Sequence, residues 1–191
     1  TVEVLGKQVN IKKPEDAIDN SIGMITEDRR GTGILGCLSI NDNTAIASYK
    51  NYTNNGVIDQ KKVDAVVKDS IQKLNIKTPS GKTLIQSLSG GNQQKVIIAR
   101  WLANNPDILI MDEPTRGIDV GAKYEIYCVI NELAKSGKAV IVISSEMQEV
   151  IGTCDRVYVI NEGRIAGELT KEEVTQERIM KCIMADNGKE A

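Results

Sequence analysis

Ile108-Leu109-Ile110-Met111-Asp112-Glu113 is the stretch that decides the fold. Four consecutive apolar residues leave no polar face, so the segment belongs inside a sheet covered on both sides. Two carboxylates emerge at its C-terminal end, which is where ligands bind in open α/β sheets. Placed there, the first acid can hold Mg²⁺ through water and the second can orient a water against a phosphate. Alone, a strand ending in Asp-Glu reads equally well as a solvated strand end, so its neighbours matter.

The nearest informative neighbour is Leu88-Ser89-Gly90-Gly91-Asn92-Gln93-Gln94-Lys95, at a loop-to-helix junction. Two glycines let a ligand approach the backbone, and the helix N-terminus offers N–H groups and the positive end of its dipole. Ser89 adds a hydroxyl, and the whole makes a phosphate-binding device. The plainer alternative is a surface helix capped by Ser89. The apolar strand with two acids that follows favours the phosphate.

Further out, strands and helices alternate. Val2 to Ile11 predicts a hairpin broken at Gly6-Lys7, and Lys13-Pro14-Glu15-Asp16 starts a short helix running to Asn20. Residues 21–26 predict a buried strand that ends at Glu27-Asp28-Arg29-Arg30, followed by a polar, Gly- and Asn-rich stretch to about Gly56. Apolar positions at Ile58, Val63, Val66, Val67, Ile71 and Leu74 predict one helix face, and Asn92 to Asn104 a strong helix. After the strand at 107–111 come a helix over 119–136, a strand at 139–143 and a short helix at 146–151. A strand at 157–160, a turn at Gly163 into Ile165-Ala166, and a closing helix over 171–184 complete the chain. The fold class is α/β, with a parallel sheet.

Composition narrows the chemistry. The 191 residues are 41% hydrophobic and 26% charged, enough for one globular domain. Lys and Arg number 24 against 26 Asp and Glu, so the basic excess of a nucleic-acid binder is missing. There is no histidine, which removes imidazole general bases and His metal ligands together. No phenylalanine and 3% aromatics fit base-stacking folds poorly. Cys37, Cys128, Cys154 and Cys182 form no CxxC pair and read as free thiols in a reducing cytosol. No apolar run nears the roughly 20 residues of a membrane span, and no signal peptide opens the chain.

LSGGNQQK, a helix and then ILIMDEPTRGID resemble the signature, Walker B and D-loop of ABC-transporter ATPases. Three further features narrow this to the second ATPase half of monosaccharide importers of the ribose, galactose and xylose type. They are Glu27-Asp28-Arg29-Arg30 after the strand, the NQQK form of the signature, and Ile143-Ser144-Ser145-Glu146-Met147. The resemblance covers essentially the whole chain. It implies a P-loop NTPase (RecA-like) core over 1–191, incomplete at its N-terminus, with a helical signature subdomain at about 38–104. It also implies ATP and Mg²⁺ as ligands. Ser89, Gly90, Gly91 and Gln94 would meet the nucleotide held by an opposing domain. Asp112 would serve Mg²⁺, Glu113 would be the catalytic carboxylate, and Asp119 would be the D-loop acid. The implied partners are a first ATPase half or a second copy, a membrane permease and, indirectly, a sugar-binding protein. The implied location is the cytoplasmic side of the membrane.

Several patterns break. A P-loop needs G-x-x-x-x-G-K-[ST]; Gly81-Lys82-Thr83 has the tail, but the leading Gly falls at Ile76. In the resembled family the P-loop precedes the stretch that begins here, so the chain is expected to start downstream of it. Removing that strand exposes apolar surface, so self-association is expected. The family's usual Gln after the first core strand is Glu27 here, and its usual His is Ser145. A serine cannot place an imidazolium's charge by a γ-phosphate. Gly31-Thr32-Gly33-Ile34-Leu35-Gly36 matches G-x-G-x-x-G, but EDRR separates it from the strand and no clear helix follows, so it reads as a loop. Three functions stay open: a transport ATPase half, a non-catalytic nucleotide-sandwich or regulatory module, and a soluble ABC ATPase.

Overall fold

The structure is a computed structural model that describes residues 1–186. The first strands, β1 (Val2–Val4) and β2 (Lys7–Val9), pair antiparallel with Val2 opposite Val9. Their turn residues, Leu5 at φ 50° and Gly6 at φ 74°, take the left-handed pair that matches strand twist. Helix α1 (Pro14–Asp19) begins on proline, and the Asp16 carboxylate reaches back to accept the N–H groups of Lys12 and Lys13.

Strand β3 (Ile22–Ile25) leads through a five-residue π-turn at Arg29–Gly33 to α2 (Ile40–Ala45). A 3₁₀ segment, Ile46–Tyr52, and a small hairpin of β4 (Thr53–Asn54) and β5 (Val57–Ile58) precede α3 (Gln60–Lys73). Then come α4 (Gly90–Leu102), β6 (Ile108–Asp112), α5 (Val120–Lys135) and β7 (Ala139–Ile143). Helix α6 (Met147–Thr153), β8 (Arg156–Asn161), β9 (Arg164–Thr170) and α7 (Gln176–Asp186) follow.

The chain divides into two compact units, Thr1–Ile143 and a second that begins at Ser144. In the first, β3, β6 and β7 form a parallel sheet with β6 central. Leu109 and Met111 of β6, with Ile25 of β3, point into a core built with α4 and α5, where Val96, Ile98 and Ile126 are fully buried. Gly23 lets that packing close tightly, because a Cβ there would sit 3.1 Å from the Leu109 methyl and 3.2 Å from the Trp101 ring and press on both. Helices α2, α3 and α4 pack together between β3 and β6.

The covering of the sheet differs from the reading of an unbroken apolar strand. Among the described residues one face carries the packed core; on the other, Met24, Ile141 and Ile143 are 42%, 50% and 48% exposed. A continuous apolar run carries no period that separates one covered face from two. The polar stretch after residue 31 also differs, since it holds α2, the 3₁₀ segment and a hairpin. Asn43, Thr44 and Ser48 are fully buried there. Their burial is polar, and hydrophobic periodicity is blind to it.

In the second unit, β8 and β9 pair antiparallel around a left-handed turn at Glu162 and Gly163, with a register shift at Val159/Ile160. Val157, Val159, Leu169, Val174 and Ile179 make its core. Helix α7 starts at Gln176, later than the expected 171, after a turn in which the Glu173 carboxylate accepts the N–H and hydroxyl of Thr170. Among the described residues no helix is long and apolar enough to cross a membrane.

Candidate functional site

Parallel register brings the C-terminal ends of the first unit's strands to one edge: Ile25 stands opposite Met111, and Asp112 opposite Ile143. Glu27, Asp112 and Glu113 therefore emerge at the same edge of the sheet. Glu113 is held at φ 47°, a left-handed conformation that costs a non-glycine residue on the order of 1–3 kcal/mol. Its N–H donates to the Ile143 carbonyl at 2.8 Å, and its own carbonyl accepts the Arg116 N–H at 3.1 Å. The backbone thus turns sharply where the second acid leaves the sheet.

Asp112 is half-buried at the strand end and enters no ion pair among the described residues. No group of three or more potential metal-binding side chains occurs among them either. The donor in place is the Asp112 carboxylate, a hard oxygen ligand of the kind Mg²⁺ takes one or two of beside water and phosphate oxygens.

Ser89 has the backbone conformation of an N-cap for α4, yet its hydroxyl caps no helix N–H. Instead it accepts the Asn92 side-chain amide at 2.9 Å, while the Asn92 carbonyl oxygen accepts the Lys77 N–H at 2.8 Å. Asn92, which sequence reasoning passed over, therefore orients Ser89; its place three residues into the helix is the signal that could have found it. Ser89 itself is exposed. Gly91 is buried, and a Cβ there would collide with the Ala122 side chain, so close approach of α4 to α5 requires glycine. A Cβ on Gly90 would stand 3.0 Å from Arg29 Nη2.

Gln94 falls elsewhere than expected for a nucleotide contact. It is 3% exposed, because α4 is enclosed on every side from Gln93 to Arg100. Next to it, Lys95 is 2% exposed; its ammonium donates to the Asn75 carbonyl at 2.9 Å and pairs with Glu125 at 2.7 Å. Asp119 is exposed and caps α5, its Oδ1 accepting the Ala122 N–H at 3.0 Å. Ser145 lies in the second unit just past β7, where the Glu146 N–H donates to the Ser144 hydroxyl.

The Glu27-Asp28-Arg29-Arg30 tetrad is organised by its aspartate. Asp28 Oδ1 accepts the N–H groups of Arg30 and Gly31, and its carbonyl accepts those of Thr32 and Gly33. Gly31 and Gly33 thus belong to a π-turn, without the strand-turn-helix context of a dinucleotide fingerprint. Glu27 forms an ion pair with Arg116, and Arg29 Nη1 donates to the Arg116 carbonyl at 3.3 Å. Burial, then the neighbouring charge of Arg30, lowers the pKa of Arg29. The Glu27–Arg116 pair was also missed, although opposite charges just past adjacent parallel strand ends were readable.

The sequence profile described as ABC transporter matches residues 1–116. A putative ribose/galactose/methyl galactoside import ATP-binding protein of Geobacillus kaustophilus is 55% identical over 94% of this chain and 36% of its own length. The galactose/methyl galactoside import ATP-binding protein MglA of Clostridium tetani is 53% identical, and that organism's ribose import ATP-binding protein RbsA 50%, each over 94% of this chain and 36% of its own length. The chain thus spans about a third of the length of the curated relatives it matches. Among solved structures, the ADP conformation of MJ1267, an ATP-binding cassette of an ABC transporter, superposes with a TM-score of 0.73. It is 20% identical and covers 95% of this chain and 75% of its own. The post-hydrolysis dimer of the cassette MJ0796 gives 0.68 at 21% identity, covering 85% of this chain and 68% of its own.

Proposed function

The chain belongs to the ABC transporter family, and on that premise we propose that it is an ATPase half of a monosaccharide importer's ATP-binding subunit. The observation that carries the reading is Glu113, held left-handed at the end of the central strand with its N–H fastened to β7. A carboxylate placed at such cost, beside the half-buried Asp112, suits water activation against a phosphate.

In this reading an opposing half supplies the nucleotide cradle. The exposed Ser89 hydroxyl, aimed by Asn92, and the α4 N-terminus at Gly90 and Gly91 meet the terminal phosphate. Asp112 would hold Mg²⁺, which would supply charge neutralisation of the phosphate oxygens. Glu113 accepts a proton from the attacking water, and Asp119 fixes the start of α5 and the turn before it. Ser145 provides no cationic charge, so this half serves chiefly by lending its signature to the other site. Exposed Leu35 and Ile46, in the polar stretch between Glu27 and Gly56, suit contact with a permease on the cytoplasmic side of the membrane. A sugar-binding protein would act through that permease, and no nucleic acid is involved. The bare sheet face favours association with a second copy when the chain is alone.

A second reading, a non-catalytic nucleotide-sandwich module, draws support from Glu27, whose carboxylate is engaged by Arg116. Mg²⁺-dependent ATP turnover separates the two. The chain as given has no G-x-x-x-x-G-K-[ST] and is expected to show negligible turnover. Paired with an opposing half, it should support hydrolysis that Glu113→Gln reduces at least about 100-fold. Clear turnover by the chain alone, abolished by Glu113→Gln, would overturn the two-half reading. Pairing that yields no turnover selects the binding module.

A further inference from the structure

Arg116 is held at three points within the first unit. Its guanidinium pairs with Glu27, its carbonyl accepts Arg29 Nη1 at 3.3 Å, and its N–H donates to the Glu113 carbonyl at 3.1 Å. Arg29 reaches further, with Nη2 standing 3.0 Å from where a Cβ on Gly90 would lie. One arginine therefore hydrogen-bonds the turn after Glu113 and packs against the first residue of the signature helix.

That placement works against ordinary electrostatics. A guanidinium beside a helix N-terminus meets the positive end of the dipole and gains nothing from it. What keeps it there is the turn cupped by Asp28, which accepts four backbone N–H groups, two on Oδ1 and two on its carbonyl. The Glu27–Arg116 pair cannot be the reason in energetic terms, because its side chains are 49% and 64% exposed and such pairs add little to global stability. The arrangement makes sense as positioning.

We propose that Glu27, Arg29 and Arg116 form a latch that holds the Glu113 turn and the signature helix in one fixed relation. The latch gives Glu27 a task that a glutamine could not perform, since a neutral amide would not hold the Arg116 guanidinium as an ion pair. The three are positioning residues; their effect on turnover rests on the function proposed above, whereas their effect on the turn does not.

Amide hydrogen exchange in the 191-residue chain tests the latch directly. Glu27→Arg or Arg116→Glu should speed exchange at the N–H groups of residues 116 and 118 about tenfold or more. The melting temperature should move by no more than about 2 °C, as befits a half-exposed pair. The exchanged pair, Glu27→Arg with Arg116→Glu, should recover most of the protection. Arg29→Lys keeps a charge but loses the forked donor, and should loosen residue 116 without loosening the sheet. Unchanged exchange in the single variants, or no recovery in the exchanged pair, overturns the latch. In the subunit that carries this chain beside its opposing half, the same single variants should lower kcat several-fold with KM for ATP unchanged. Loosened exchange with undiminished kcat would overturn the coupling to the signature. A wild-type subunit without turnover would instead sink the proposed function, leaving the exchange result to judge the latch.

Discussion

Gly91 shows how a residue that reads as a phosphate contact also bears a packing constraint. Its missing Cβ is the space that Ala122 occupies, so α4 and α5 meet with almost nothing between them. Gly91→Ala should cost about 1–3 kcal/mol in urea unfolding, and Ala122→Gly in the same chain should restore much of it. A substitution at Gly91 that abolished function would therefore not by itself report a phosphate contact. Cysteine chemistry separates two sites at the same scale. Burial raises the Cys154 thiol pKa; a hydrogen bond with Thr153 opposes that, and the charges of Glu149 and Asp155 reinforce it. The reactive thiolate is then scarce at pH 8, and its share grows only as pH rises towards the elevated pKa. Timed alkylation read by peptide mass should label exposed Cys37 well before Cys154, with the gap narrowing as pH increases.

At the scale of elements, α4 organises the first unit from both its ends. Its N-terminus carries Ser89-Gly90-Gly91, while near its C-terminus Arg100, 9% exposed, donates to the carbonyls of Asn43 and Gly33 at 2.6 and 2.8 Å. Arg100 Nη2 also donates to Asn43 Oδ1 at 2.9 Å, and Asn43 in turn bonds the N–H and C=O of Leu35. Burial lowers the pKa of Arg100, yet every partner is a neutral oxygen. Asn43→Ala should cost about 3 kcal/mol in chemical denaturation, since it strips a buried charge of a partner and leaves loop groups unpaired. An effect below about 1 kcal/mol would show that water replaces the asparagine. This network explains why α2 escaped the pattern of apolar residues. Its anchor is a side chain 57 positions away, and no window of local sequence contains both.

For the whole molecule, the sheet's open face matters most. Met24, Ile110 and Ile141 lie in one cross-strand row, and β3 and β7 each have one strand neighbour among the described residues. Exposed apolar rows beside unpaired strand edges promote association. Sedimentation velocity should show the average mass rising with concentration, and Met24→Lys with Ile141→Lys should suppress the rise. A strictly monomeric profile at high concentration would mean that this face is not sticky. The order of the sheet strands and of the longer helices was legible from the sequence, because apolar runs, proline at a helix start and paired turn residues are local signals; α2 and the small hairpin after it were not. The strand-end acids and the glycine-rich helix start were legible for the same reason. Coverage of the sheet was not, since four apolar residues in a row look alike whether one face is packed or both.

What the sequence by itself determined is the order of the sheet strands and of the longer helices between them, with Asp112 and Glu113 at the end of the central strand and Ser89-Gly90-Gly91 opening a helix. Those follow from backbone propensity, side-chain period and chemical identity, all of which are local. Only the tertiary structure decided that Glu113 is left-handed, that Asn92 aims Ser89, that Gln94 is buried and that Glu27 is paired with Arg116. Except for the Asn92 contact, each of these depends on groups distant along the chain or on how an element is rotated against its neighbours. Even the Asn92 contact needs a rotamer that Lys77 helps to hold. Such contacts exist only once packing has chosen which surfaces meet.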